Sequence, residues 1–192
     1  MPADFLSSAK GKMPAKLLTD WVPKLGLTGG FALDLGCGTG AEAEWLAKQG
    51  FTVDAIDKSE AMIAAARVRC DGLKVNTIAG DFTAFNLECD RYSLATAINS
   101  LPFVAKEKCR MLLEDVKESI KPGGAVVLAV YGTEHSWASR TDMSFWTLQE
   151  FADVWADFNV LALDEFKGPW PLMSGEEVFQ HRIHIVAKKP NL

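Results

Sequence analysis

The chain has 192 residues, which fits one domain, since domains commonly hold roughly 100–200 residues. With 48% hydrophobic and 23% charged residues it has globular composition, which excludes a disordered, collagen-like or disulfide-scaffold chain. Twenty Lys and Arg against 25 Asp and Glu leave a formal charge of −5, so no overall positive field draws the chain to nucleic acid or an anionic membrane.

Residues 10–28 read as an N-terminal helical segment with Leu17, Leu18, Trp21 and Val22 on its apolar face. Phe31 to Leu35 reads as a first strand ending at glycines, followed by a helix carrying Ala43, Leu46 and Ala47 and ended by Gly50. Phe51 to Ile56 gives a second strand closed by Asp57, and Ser59 caps a helix whose Met62, Ile63, Ala66 and Cys70 share a face. Leu73 to Ala79 and Tyr92 to Ile98 supply two more strands. Cys109, Leu112, Leu113, Val116 and Ile120 mark a further helix, stopped at Lys121-Pro122, and Gly123-Gly124 turns the chain into a continuous apolar strand, Ala125 to Tyr131. Thr147 and Glu150 spell a capping box, with Trp146 and Phe151 as its hydrophobic staple. Two last strands, around 160–166 and 179–187, are separated by a Gly/Pro loop containing Lys167 to Pro171. Strands alternating with helices predict an α/β fold on a mainly parallel sheet.

The four cysteines, Cys37, Cys70, Cys89 and Cys109, are widely spaced and lack a C-x-x-C pair or a neighbouring His in a zinc pattern, so reduced thiols and no metal are expected. Met1 to Lys10 lacks the basic-then-apolar pattern of a leader, and no apolar run is long enough to cross a bilayer. A soluble, cytoplasmic protein is the expectation.

The chemistry concentrates in Leu33-Asp34-Leu35-Gly36-Cys37-Gly38-Thr39-Gly40, between a strand and a helix. Glycines there let the backbone turn sharply and approach a ligand closely, at a helix N-terminus. Gly36-x-Gly38-x-x-Ala41 also satisfies the dinucleotide fingerprint, with Asp57 about 20 residues on as its ribose acid, so the glycines alone leave NAD(P) open. Asp34 discriminates: an acid beside the loop repels a pyrophosphate and suits a ligand carrying an ammonium and a sulfonium. The Tyr-x-x-x-Lys pair of short-chain dehydrogenases is also missing, since Tyr92 and Tyr131 are followed four places on by Thr96 and His135.

The chain resembles the class I S-adenosylmethionine-dependent methyltransferases. Leu33 to Gly40 matches that family's glycine-rich loop, Asp57 its acid after strand two, Gly80-Asp81-Phe82 its segment after strand three, Asp90 to Val104 its strand four and exit, and Ile120 to Gly124 its turn into strand five. These stations stand in family order over roughly residues 30–130. The resemblance implies a Rossmann-like, doubly wound, mostly parallel seven-stranded sheet with the last strand antiparallel, forming one domain over 1–192. It implies S-adenosylmethionine as cofactor and S-adenosylhomocysteine as product, held by Asp34, Gly36, Cys37, Gly38, Gly40, Asp57, Lys58, Met62, Asp81, Phe82 and Asn99. Asp57 is expected on the ribose hydroxyls, Asp81 on the adenine amino group and Asn99 near the methionine moiety. Asn99-Ser100-Leu101-Pro102-Phe103 lacks the acid-or-amide, Pro-Pro, aromatic pattern of base N-methyltransferases, so a small-molecule acceptor is expected and nucleic acid is not.

In an open α/β sheet ligands lie beyond the carboxyl ends of the parallel strands. That places the acceptor among the exits of strands four to six, with Phe103, Tyr131, Trp137, Arg140 and Trp170 as lining candidates. His135, just after strand five, is the candidate general base, expected to titrate near neutral pH. His181 and His184, at odd spacing on a strand, point to opposite faces and do not share a metal. The C-terminal pattern around Phe151, Phe166, His181 and Lys188 is loosely similar to tellurite-resistance and thiopurine-type methyltransferases. An NAD(P)-dependent oxidoreductase and a non-catalytic S-adenosylmethionine-binding protein are the alternatives. The sequence does not specify an oligomeric state.

Overall fold

A computed structural model describes residues 11–171 and 177–191. Its framework follows from β-rich apolar runs interspersed with helices that cover the sheet faces. The elements in chain order are α1 (Lys16–Trp21) with a 3-10 turn at Val22–Leu25, β1 (Gly30–Leu35), α2 (Ala41–Lys48), β2 (Phe51–Asp57), α3 (Glu60–Arg69) and β3 (Val75–Ala79). Then come β4 (Tyr92–Ala97), α4 (Lys106–Ser119), β5 (Ile120–Gly132), β6 (Phe145–Trp146), α5 (Leu148–Val154), β7 (Asn159–Pro171) and β8 (Glu177–Lys188).

The sheet runs β3-β2-β1-β4-β5-β8-β7, with β6 paired to β5 off that path. The chain winds outward from β1 through β2 to β3, then returns to pair β4 on the other side of β1. This reversal opens a crevice at the carboxyl ends of β1 and β4, where such sheets bind ligands. β8 inserts antiparallel between β5 and β7, so the expected antiparallel last strand is observed.

One sheet face packs Leu33, Leu35, Leu128 and Ile185 against α4 and α5, and the other packs Ala32, Val53 and Val127 against α1, α2 and α3. The capping box at Thr147 and Glu150 is formed, and the rings of Trp146 and Phe151 meet at 5.7 Å.

Three expectations need correction. Among the described residues the sheet has eight strands rather than seven; the extra one, β6, pairs only Phe145 and Trp146 with Tyr131 and Gly132, too short to leave a periodic pattern. Lys167 to Pro171 is not a loop: β7 and β8 stay paired from Asn159↔Lys188 out to Pro171↔Glu177. β7 is an edge strand, where a proline's missing N–H breaks no ladder. The N-terminal helix is shorter than 10–28, because Pro23 and left-handed Gly26 confine it to one helix and one 3-10 turn. Residue 10 of that expectation, and 172–176 between β7 and β8, lie outside the described residues.

Candidate active site

The glycine-rich loop between β1 and α2 is held by its own amides. Gly36 N and Cys37 N donate to Ile56 O at 2.8 and 3.0 Å, Gly40 N donates to Cys37 O at 2.9 Å, and Gly38 N donates to the Asp57 carboxylate at 2.9 Å. Asp57 accepts a second amide, Ser59 N, at 2.8 Å, so this acid ties the loop to the start of α3. Gly36 and Gly38 have φ of +75° and +53°. A Cβ on Gly36 would overlap Ser100, whereas one on Gly38 would enter open space with nothing within 4 Å. Gly36 is thus required by packing and Gly38 borders the crevice.

Asp34, at the end of β1, is buried, and one of its carboxylate oxygens has no partner among the described residues. Burial, and then the neighbouring Glu42 carboxylate, push its pKa well above the ordinary value. Glu42 is itself buried in α2 and bonds outward, accepting from Ala15 N at 3.2 Å and pairing with Lys12 Nζ at 3.2 Å. Arg69 donates to Lys12 O at 2.7 Å and to Glu44 at 2.6 Å. The chain ahead of α1 is therefore fastened across α2 and α3. Glu42 escaped the sequence reading because an acid in the first turn of a helix is ordinary.

The remaining cofactor candidates lie in the segments that leave β2, β3 and β4. Met62 is buried and Lys58 is exposed. Asp81 Oδ1 accepts from Thr83 N at 2.9 Å and Thr83 Oγ1 at 2.8 Å, which hold its pKa below the usual carboxylate value. Phe82 is buried with its ring edge toward Gly36. Asn99 sits at φ +59°, a left-handed conformation uncommon outside glycine and often retained where a site needs it. Beside it Ser100 Oγ donates to Leu35 O at 2.6 Å, pinning the β4 exit to the end of β1. The three buried cysteines are unpaired, and burial raises each thiol, Cys70 and Cys109 to about 11, so none is a ready nucleophile.

Beyond β4 and β5 lies an aromatic cluster. Tyr131 stacks on His135 at 4.2 Å, and its ring lies 6.3 Å from Phe103, 6.2 Å from Trp137 and 6.5 Å from Phe145. Met143 completes its packing. His135 does not titrate near neutral pH, contrary to expectation: burial, then the Arg182 charge, lower its pKa to about 4. Its Nδ1 accepts from Trp137 N at 3.1 Å. Arg140 is not brought into the cluster, because its guanidinium grips Asp142 at the surface with contacts of 3.1 and 2.7 Å. The cation that does reach the cluster is Arg182, paired across the sheet with Tyr131 and 5.2 Å over the exposed Trp170 ring. Its place opposite Tyr131 depends on strand pairing, which leaves no local pattern in the sequence. His181 instead bonds Glu165 at 2.7 Å and accepts from Glu134 N at 3.0 Å. Among the described residues no group of three His, Cys, Asp or Glu side chains could hold a metal ion, and no helix is long and apolar enough to cross a membrane.

Residues 32–124 match the family model described as a methyltransferase domain. The chain is 31% identical over 100 residues to the ubiquinone biosynthesis O-methyltransferase of Coxiella burnetii, covering 51% of this chain and 42% of that protein. It is 31% identical over 118 residues to the cypemycin N-terminal methyltransferase of a Streptomyces species, covering 60% and 48%. The chain thus spans less than half the length of these relatives. Among solved structures it resembles TehB from Haemophilus influenzae, with TM-score 0.77 and 20% identity over 90% of this chain and 61% of that one. A putative S-adenosylmethionine-dependent methyltransferase from Listeria monocytogenes superposes with TM-score 0.73 and 18% identity, covering 91% and 96%. Residues 32–124 thus carry a matched methyltransferase domain on a mostly parallel sheet, similar to the class I S-adenosylmethionine-dependent methyltransferases. Within that class it is similar to the TehB-type enzymes in fold.

Proposed function

We propose that the protein transfers a methyl group from S-adenosylmethionine to a small-molecule nucleophile. The loop amides carry this reading: Gly36, Cys37, Gly38 and Gly40 already spend their N–H groups within the protein, one of them on the Asp57 carboxylate. A pyrophosphate needs such amides and would face Asp34, Glu42 and Asp57, so the crevice disfavours NAD(P). The same acids suit a cationic ligand, and the unpartnered buried oxygen of Asp34 is consistent with it. Residues Asp34, Gly36, Cys37, Gly38, Gly40, Asp57, Lys58, Met62, Asp81, Phe82 and Asn99 are the proposed cofactor contacts. Phe103, Tyr131, Trp137 and Trp170 are the proposed acceptor lining.

When bound, S-adenosylmethionine would supply an electrophilic methyl to the acceptor's lone pair, its sulfur keeping the broken C–S bonding pair as S-adenosylhomocysteine. The protein's part is to hold the acceptor in reach and exclude water, and such positioning supplies much of the rate without an obligatory catalytic side chain. The test is calorimetry of the purified protein with S-adenosylmethionine and S-adenosylhomocysteine, followed by label transfer to thiols, amines, phenols, carboxylates, selenite and tellurite. Absence of binding to both compounds sinks the reading. Binding without transfer to any acceptor leaves the non-catalytic binder standing in its place.

A further inference from the structure

The end of β1 and the first turn of α2 bring two buried carboxyls together, Asp34 at 2% and Glu42 at 4% exposure. A single ammonium serves them. Lys12 Nζ lies 3.2 Å from Glu42 Oε1, and Arg69 fastens that residue by donating to Lys12 O at 2.7 Å. Ala15 N donates to the same Glu42 oxygen at 3.2 Å. Asp34 is supported by the Ala43 amide, while its Oδ2 is buried without a partner among the described residues. An ionised carboxylate is costly in such a place, and the group takes up a proton instead.

The other groups around Asp34 bring no second cation. Asp57, at the end of β2, adds a third negative charge, its carboxylate held by the Gly38 and Ser59 amides. The Cys37 thiol of the loop and the Cys70 thiol at the end of α3 are raised by burial and stay neutral. Lys48 of α2 and Arg69 of α3 are both taken by Glu44. Burial, and after it the Glu42 charge, hold the proton on Asp34, with Lys12 opposing them.

We propose that Glu42 is a positioning residue that makes cofactor binding proton-linked: its charge keeps a proton on Asp34 in the cofactor-free protein, and the ligand's ammonium displaces that proton to the solvent. This deepens the methyltransferase reading and rests on it for the identity of the ligand. The Asp34 O–H is the bond that breaks, and its proton passes to water or buffer. Two carboxylates then face two ammoniums, that of Lys12 and that of the ligand, so the charges balance before and after. Affinity for the cofactor accordingly rises with pH until Asp34 is ionised on its own.

The test is titration calorimetry of the full chain in buffers of different ionisation enthalpy, which counts the protons released per ligand bound. S-adenosylhomocysteine is compared with its deaminated analogue, which keeps the carboxylate and lacks only the ammonium, between about pH 5 and 7.5, where the amine stays protonated. Release is expected to approach about one proton per S-adenosylhomocysteine at the acid end, with affinity rising up to about tenfold per pH unit there, while the analogue releases none. Glu42→Gln should at least halve the release at the acid end and move the rise in affinity to lower pH. Lys12→Met removes the opposing cation and should move it to higher pH. A packing role for Glu42 would weaken both ligands equally at every pH and leave the proton count unchanged, and that result overturns the inference. Equal release with the deaminated analogue overturns it too, as does S-adenosylhomocysteine binding without proton release at any pH. If Glu42→Gln does not fold, Lys12→Met on the half-exposed arm decides, and an unchanged pH profile there overturns the inference. Failure of S-adenosylhomocysteine to bind at all takes down the methyltransferase reading and this inference with it, whereas binding without proton release takes down the inference alone.

Discussion

Asp57 joins the glycine loop to α3, so its removal should loosen the crevice from two sides. Its two oxygens accept Gly38 N at 2.9 Å and Ser59 N at 2.8 Å. Hydrogen bonds to a charged group contribute about 1.5–3 kcal/mol each, and water entering this half-buried position recovers part, so Asp57→Ala should cost about 2–3 kcal/mol. For a chain of this size that lowers Tm by roughly 4–12 °C. Gly38, freed from its acceptor, no longer has its amide fixed, and if Asp57 also meets the ribose the affinity for S-adenosylhomocysteine should fall at least tenfold, about 1.4 kcal/mol. Asp57→Asn retains one acceptor oxygen without the charge and should fall midway in Tm. Scanning calorimetry and titration calorimetry on the same preparations measure both effects. An Asp57→Ala protein with wild-type Tm and wild-type affinity would refute the reasoning.

Gly38→Val should also weaken cofactor binding at least tenfold, about 1.4 kcal/mol, because a branched side chain at φ +53° is strained and fills the open space beside the loop; unaltered affinity in a folded variant would remove Gly38 from the site. Asp34→Asn should stabilise the cofactor-free protein increasingly as pH rises. The native carboxyl's pKa is raised, so its protonated form contributes fully below the unfolded value of 3.8 and that contribution is lost as pH climbs through the raised one. Urea unfolding of both proteins at acid and alkaline pH checks it, and a pH-independent difference would contradict it. His135 acts with the opposite sign: its pKa is lowered from 6.5 to about 4, so stability should drop as pH falls through that window, and a His135→Phe variant should lose less of its stability there. Tyr92→Phe removes the hydroxyl that donates to Asp54 at 3.0 Å, while Arg91 and Asn76 still hold that carboxylate, so the urea midpoint should drop by the equivalent of about 1–2 kcal/mol with an unchanged slope.

The order of the elements, the glycine loop, the acid closing β2 and the capping box of α5 were all legible in the sequence, because each depends on residues a few places apart. Period-2 and period-3.6 patterns, glycines at left-handed positions and a Thr-x-x-Glu start carry their own geometry wherever the chain goes. Strand pairing is different. That β6 adds to β5, and that β7 continues through Pro169 and Pro171, depends on which strand lies alongside and on β7 being an edge.

The site divides along the same line. The loop residues Asp34, Gly36, Gly38 and Asp57 could be named because they adjoin one another or lie a single βα unit apart. Ser100 against the end of β1 and Arg182 against Tyr131 are meetings of distant segments, 65 and 51 positions apart, which only the folded sheet brings together. Arg140 looked equally suitable in the sequence and was excluded by a neighbour two residues away that takes its charge. Local chemistry therefore carried the family resemblance and the proposed cofactor end of the crevice. Tertiary structure decided which buried donors and charges were left without a partner, since burial and pairing are properties of the packed sheet.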